Sequence, residues 1–586
     1  MKKIIQYSII VSVLVFHFSC SDFFVPSNEN LITADYVQTD PSSVEGLMLN
    51  AYSQLVNAYV FSDLATDDAV SNQPTNAFRR MASGELSANF NPITRWDKYQ
   101  GIFYVNRFLG VADSVKWMDI PELGQLFNRR LKGEALALRA LLHFYILEAN
   151  AGKDAAGNLM GIPYYTKFIQ ADGNLNVPRL TFTATIDSIM ADFNKAYEYL
   201  PYVYLAAGDS ANIPVKDLGF TKKYYLTANS TNYDQRFNGK IVRALQARVK
   251  LFAASKAYLD DLNSYKEAAN FATGVLTAIS YVLPSAGVEF YNSDAGATNT
   301  EFLWRTATTA TSASSTQEAN NFPPSLNGKG YINPTQNLVD AFYMKDGYPI
   351  GKSPTYTYNA QDPYINRDAR LAKFVIFNGS FYGGKYIYTN TTDIVNGINA
   401  VPQQSTRTGY YLKKLLRPDV VIPISGTATG QKHYNAIYRY TELFLILAEA
   451  ENEIGGPDYK EGTSTKSARD ILRAIRKRAL SITTDPYLDG INNKDDMRTL
   501  IQNERRLELC FEGFRIWDLR RWGLPLTETA TGYSCTPTIV NGTITTNVYT
   551  KFDVEPRMYD GEKYRYMPWM YNELQKYPNL VQNAGW

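Results

Sequence analysis

Cysteine is scarce in this sequence: 586 residues contain three, Cys20, Cys510 and Cys535. Three cannot build a disulfide framework or a cysteine-rich metal site. Cys510 lies in the apolar run Leu507–Phe511 and reads as core, while a Cys510–Cys535 bridge stays open. Histidine is as scarce, and beyond residue 20 only His143 and His433 remain. Both fall in helical or pre-helical segments, where a single His is commonly packed and hydrogen-bonded. An excess of one charge sign is missing too, with 59 basic against 57 acidic residues. That balance offers nothing to a polyanion, so no nucleic-acid partner is expected. Neither a G-x-S-x-G elbow nor an H-E-x-x-H zinc motif occurs. Gly347–Ser353 approaches a phosphate loop, but it is one residue short, carries Pro349 and lacks a strand-loop-helix setting. Carboxylate pairs of the kind glycosidases use are everywhere among so many acids, so no pair is informative. Asp67–Asp68 reads as an exposed acidic pair at a turn or helix start, short of the ligands calcium needs. The expectation is a protein that is not an enzyme and uses no cofactor and no metal.

Long apolar runs are also missing, except at the start. Lys2 and Lys3 precede Ile4–Phe18, which is mostly apolar and uncharged. That is signal-peptide length and short for a bilayer. The run ends at Ser19–Cys20, followed by Ser21 and Asp22. A small residue and a Cys in that position resemble a bacterial lipoprotein cleavage site. Residues 1–19 therefore read as a signal peptide, and Cys20 as the lipid attachment point that tethers a water-soluble body.

What is abundant is apolar matter, at 45%, and Tyr, at 43 residues. The first promises a real core. The second supplies flat rings with polar tips, suited to polar ligands and to half-buried packing alike. Apolar residues recur at helical spacing in Pro41–Tyr59, Thr94–Val115, Leu131–Glu148, Thr183–Leu200, Lys240–Leu259 and Ser264–Ile279. A later set is Tyr438–Glu453, Lys466–Leu480 and Asp495–Phe511. Pro41 suits a helix start, and Gly455–Gly456–Pro457 a helix end. Small residues space Glu134–Ala140 and Arg243–Arg248, which lets helices pack closely. Helix pairs joined by short turns suggest tetratricopeptide-like repeats.

Between these blocks lie segments without helical period: Phe61–Asn91, Tyr202–Asn238 and, longest, Leu283–His433. Within the last, Thr306–Asn321 is nearly all Thr, Ser, Ala and Asn. Lys373–Phe377 and Tyr386–Tyr388 could be small strands, and Glu301–Arg305 is strand-like with Trp304 facing the core. The fold class expected is mostly α: a tetratricopeptide-like, right-handed helical-pair scaffold with loop-rich insertions and a few strands. One body spans 20–586, with the scaffold at about 40–282 and 434–523. A ligand-side insertion covers about 283–433, and 524–586 reads as irregular.

Several runs carry a family resemblance. The most specific is Asn503–Leu509, continuing through Phe511-Glu512-Gly513-Phe514-Arg515 to Trp517–Gly523. Lys132–Tyr145, Gly409–Lys414, Tyr438–Glu451, Tyr566–Trp586 and Cys20–Phe24 agree. Together they resemble the SusD/RagB family of nutrient-uptake lipoproteins along essentially the whole chain. The resemblance implies a helical scaffold anchored on the outer face of the outer membrane. It also implies a SusC-like TonB-dependent barrel transporter as partner, which the protein caps as a lid, passing it oligosaccharide or other nutrients. Glu504–Gly523 itself reads as scaffold, with paired charges and Trp faces locking helix ends and crossings. Sugars need rings to stack on and amides or guanidinium groups to bond hydroxyls. The candidates are Asn76, Phe78, Arg79 and Phe90 in the first long loop, and Tyr291, Asn321, Phe322 and Tyr331 in the third. Related proteins tend to place ligand contacts in these two regions.

Overall fold

The computed structural model describes residues 39–586 apart from 56–59, 171, 286, 290, 292–297, 306–312 and 541–542. Residues 1–19, expected to be a signal peptide, and Cys20 lie outside the described residues.

The chain is mostly helical. Helix α1 spans Pro41–Tyr52; α2, Lys98–Val111; α3, Pro121–Asn150; α4, Phe182–Tyr199; α5, Gly239–Ala254; α6, Leu262–Leu276. After the long insertion come α7, Tyr440–Gly455; α8, Ala468–Leu480; α9, Lys494–Leu509; and α10, Arg515–Trp522. Each periodic window of the sequence overlaps one of α1–α9. The largest departure is α3, which starts ten residues before Leu131, with Pro121 in its first turn. Caps set several starts. The carboxylate of Asp40 accepts from the Ser43 amide, and the Thr181 hydroxyl caps α4 by accepting from the Ala184 amide. Ser467 and Asp470 form a reciprocal capping box on α8.

Successive helices pack side by side: α1 on α2, α2 on α3, α3 on α4, α4 on α5, α5 on α6, and α6 on α7. Helix α7 also packs on α8 and α9. The small residues do what their spacing promised. Ala135, Ala137, Ala140, Ala244 and Ala247 are fully buried between neighbouring helices.

Among the described residues the strands form six two-stranded sheets. The ones that matter for position are β1 (Ala69–Ser71), β2 (Phe302–Arg305), β3 (Ile332–Pro334) and β4 (Ala436–Arg439). β1 pairs antiparallel with β3, and β2 with β4, which buries Trp304 against Phe237. The segment read as irregular, 524–586, contains the longest strands: β5 (Ala530–Val540) and β6 (Thr543–Glu555), an antiparallel ribbon. Its Thr, Tyr and Val content is β-favouring, but few of its residues are apolar on one face, which hid the period. Lys373–Phe377 is also corrected: Ala369–Phe374 is helical and only Val375–Ile376 is strand. Cys510 and Cys535 are both buried and free, so they are not bridged.

Candidate functional site

The turn Ser62–Ala65 and strand β1 carry the first long loop. Asp67 and Asp68, read from sequence as an exposed pair, are buried at 4% and 0% exposure. Arg506 of α9 donates to Asp68 (2.7 Å) and Asp67 (2.8 Å). Arg515 of α10 donates to both oxygens of Asp67, at 3.0 and 2.9 Å. These two guanidinium groups hold the Asp67 carboxyl well below the usual range despite its burial. Asp63 accepts from the Phe511 amide at 3.1 Å. Its burial and the neighbouring Asp68 push its pKa up to about 7.

The Glu504–Gly523 run is thus the floor on which this loop stands. It is itself internally locked. Glu504 accepts from Arg370 and Arg476, each at 2.9 Å, and Glu508 from Arg370 at 2.9 Å and Arg478 at 3.0 Å. Glu504, Glu508, Arg370 and Arg476 are at most 2% exposed. These side chains lie in the interior, where they hold the elements packed on them in place.

The third loop is fastened to the first. Besides the β1–β3 pairing, the Asn72 amide donates to the carbonyls of Lys329 (3.0 Å) and Gly330 (2.8 Å). Thr335 bonds the Asp67 carbonyl through its hydroxyl and the Asp68 carbonyl through its amide. Gly330 has φ of +52°, and a Cβ there would come within 2.3 Å of the Gln404 carbonyl, so only glycine fits. The stretch Thr316–Asn321, read from sequence as part of a structureless run, is a short helix.

Between the two loops lies a cavity of about 380 Å³ lined by Phe61, Asn76, Phe78, Gln317, Asn320, Asn321 and Tyr331, with Val60, Leu64, Thr316 and Ile332. It is large enough for a few sugar rings. Phe61, Phe78 and Tyr331 are half-buried rings, each able to offer a face. The amide nitrogen of Asn76 and the whole side-chain amides of Gln317 and Asn320 make no hydrogen bond among the described residues. The carbonyl oxygen of Asn76 is used locally, accepting from Phe78 and Arg79 amides as a helix cap. Asn321 donates to Gln317 (2.9 Å), and its buried oxygen has no partner among the described residues.

Four of the eight sequence candidates therefore meet in one cavity: Asn76, Phe78, Asn321 and Tyr331. The other four do not line it. Arg79 pairs with Glu555 at 2.9 Å beside Arg407. Phe90 lies under the Arg80 guanidinium, 4.2 Å from its ring centre. Tyr291 and Phe322 are 4% and 2% exposed and serve the core, Phe322 edge-on to Tyr382. Rings that anchor a loop and rings that face a ligand carry the same sequence signal. Phe61, Gln317 and Asn320 were missed. Gln317 and Asn320 lie three apart on one helical face, a spacing visible only once 316–321 is known to be a helix.

His143 is fully buried. It bonds the Arg139 carbonyl through Nδ1 (2.9 Å), accepts the Tyr165 amide at Nε2 (3.1 Å) and stacks on Tyr164. Burial drives its pKa down to about 3, so it stays neutral. Among the described residues no group of three or more His, Cys, Asp or Glu could hold a metal ion.

Comparison with known proteins fits this geometry. The model of the SusD family matches residues 296–586. A second model, described as starch-binding and associating with the outer membrane, matches residues 29–208. The chain belongs to the SusD family. Two SusD-like proteins of Formosa agariphila are similar to it. One is 22% identical over 555 residues, 89% of this chain and 90% of that protein. The other is 38% identical over 89 residues, only 14% of this chain and 16% of its own length. Among solved structures, a SusD-like protein of Bacteroides fragilis superposes with a TM-score of 0.72 at 21% identity, covering 95% of this chain and 99% of that one. A SusD-like carbohydrate-binding protein of the same species gives 0.69 at 18%, covering 92% and 99%. A laminarin-binding SusD-like protein gives 0.57 at 18%, covering 93% and 99%. The mostly helical SusD fold is thereby established for this chain, and the family is one of carbohydrate-binding proteins.

Proposed function

We propose that the cavity between the first and third loops binds an oligosaccharide and leaves its bonds intact. The observation that carries this is a cavity whose lining combines the rings of Phe61, Phe78 and Tyr331 with side-chain amide groups of Asn76, Gln317 and Asn320 that make no hydrogen bond among the described residues. Sugar C–H faces stack on the rings while hydroxyls exchange hydrogen bonds with the amides. The outer-membrane association in the matched family description supports a place at that membrane. On this reading Cys20 carries the lipid, the body faces outward, and a SusC-like TonB-dependent transporter receives the ligand. No helix among the described residues is long and apolar enough to cross a membrane.

The test is titration of the purified protein with neutral oligosaccharides, laminarin fragments included, against Phe78→Ala and Tyr331→Ala. Each ring contributes about 1 kcal/mol, so each single change is expected to weaken binding roughly fivefold to tenfold. Unchanged affinity in the double variant removes this cavity as the site. Peptide affinity without sugar affinity turns the reading to a peptide-binding adaptor, and release of new reducing ends turns it to a hydrolase.

A further inference from the structure

The largest of the cavities described lies elsewhere, where the end of the chain folds back on the scaffold. It measures about 500 Å³ and is lined by Lys153, Lys256, Ala257, Tyr258, Gly523, Glu562, Lys563, Arg565, Tyr566 and Ala584. Four of these are cations and one is an acid. Glu562 pairs with Arg565 at 3.2 Å but is 87% exposed, where such a pair is weak. Lys153 and Lys256 form no ion pair and no side-chain hydrogen bond among the described residues. Lys563 rests over the rings of Trp586 (4.5 Å) and Tyr564 (5.1 Å), which fixes its stem without neutralising it. The Tyr258 hydroxyl has no partner among the described residues, while that of Tyr566 is used on the Ala257 carbonyl at 2.8 Å.

A second observation points the same way. Arg520, 1% exposed, gives its Nε to the Arg565 carbonyl at 2.7 Å. Both of its Nη atoms are buried without an acceptor among the described residues. Burial lowers its pKa, countered by Tyr258, Glu148 and Tyr566; two of those three line this cavity. Glu148 is already engaged by Arg95 at 2.5 Å. The Arg520 guanidinium, 5.3 Å over the Trp517 ring, thus has no ion pair among the described residues and touches the Arg565 backbone at the edge of the cleft, and a low local dielectric strengthens its pull on an anion nearby.

We propose that this cleft is an oxyanion site that takes the phosphate or sulfate group of a larger molecule. Lys153, Lys256 and Arg565 supply charge-assisted donors, and Tyr258 a neutral one. The volume exceeds what a lone oxyanion needs and leaves room for the sugar or glycerol that bears it. The two sources of that group, a charged soluble saccharide and a lipid headgroup, share one recognition chemistry.

The experiment is calorimetric titration of the purified protein at low salt with inorganic phosphate, inorganic sulfate and a sulfated disaccharide. It is paired with co-sedimentation on phosphatidylglycerol–phosphatidylcholine vesicles against pure phosphatidylcholine. Saturable binding to at least one anionic probe is expected, weakened tenfold or more by Lys153→Gln with Lys256→Gln, and further by Arg565→Gln. Binding to the free anions or the disaccharide assigns a soluble ligand; binding confined to the anionic vesicles assigns a headgroup. No saturable binding to any probe, or equal affinity in the double variant, overturns the proposal. Lys153 and Lys256 are exposed, so the double variant keeps its fold, which circular dichroism verifies. Its affinity for neutral oligosaccharide stays at the wild-type value, so this proposal and the ring-lined cavity stand or fall separately.

Discussion

Asp63 shows how one buried residue ties stability to pH. It keeps its proton up to about pH 7 in the folded protein, whereas an unfolded chain gives it up near pH ~3.9. Between those values the folded state binds the extra proton. Its stabilising contribution is whole below pH ~4 and is lost as pH rises through 7. Glu451, raised to about 7 chiefly by burial, acts in the same sense. Urea unfolding of the wild type is expected to show stability falling from pH 5 to 8, and Asp63→Asn to flatten that fall without abolishing it. Parallel slopes would remove Asp63 as the cause. The two cysteines make a second case. Burial lifts the Cys510 thiol to about 12 and raises Cys535 as well, and neither is exposed by more than 2%. Because the thiolate is the reactive form, iodoacetamide is expected to label neither in the native protein and both in denaturant. Native labelling would show that these side chains open to solvent.

At the scale of the element, α9 and α10 do the positioning. Glu504, Glu508 and Arg521 are buried among opposite charges, so removing one partner leaves the others less well compensated. Glu504→Ala takes one carboxylate partner from each of Arg370 and Arg476, leaving Arg370 with Asp368 and Glu508 and Arg476 with Asp485. A loss of about 3–5 kcal/mol in denaturant unfolding is expected, with Glu504→Gln costing less. Arg506 is a sharper probe, since it touches no ligand-facing residue. It fastens Asp67 and Asp68, just beyond the turn that carries Leu64 to the cavity wall. Arg506→Met is expected to weaken oligosaccharide binding about tenfold, or ~1.4 kcal/mol, in protein that is still folded by circular dichroism. Wild-type affinity would show that the floor and the cavity are not coupled.

For the whole molecule the helical stack supplies rigidity and the loops supply chemistry. Consecutive helices bury alanine-rich faces against each other, while the first and third loops, more than two hundred residues apart, are joined by the short β1–β3 pairing. In the proposed function a ligand would meet a frame that is already formed, which lowers the ordering cost. Incubation with a panel of oligosaccharides is expected to give binding with no new reducing ends over hours. Sustained release of ends by pure protein would overturn the non-catalytic reading.

The one-dimensional pattern determined the helices α1–α9, because a 3.6-residue apolar period records one buried face and survives any arrangement of neighbours. It also marked the Glu504–Gly523 run, since paired charges beside Trp at such spacing have few uses other than locking helices together. It located the two loops that form the cavity and four residues in its wall. What it could not decide was which ring in a loop turns inward. Phe78 and Phe322 are alike in sequence, yet one faces the cavity and the other the core. That choice depends on Tyr382 standing beside Phe322, a contact made across sixty residues of chain. For the same reason Asp67–Asp68 looked solvated until Arg506 and Arg515 were seen above them. Likewise the basic cleft joins residues 153, 256 and 563, which only packing brings together. Period and composition report local burial, whereas charge balance and ring orientation are set by partners distant in sequence, and only the folded chain names those partners.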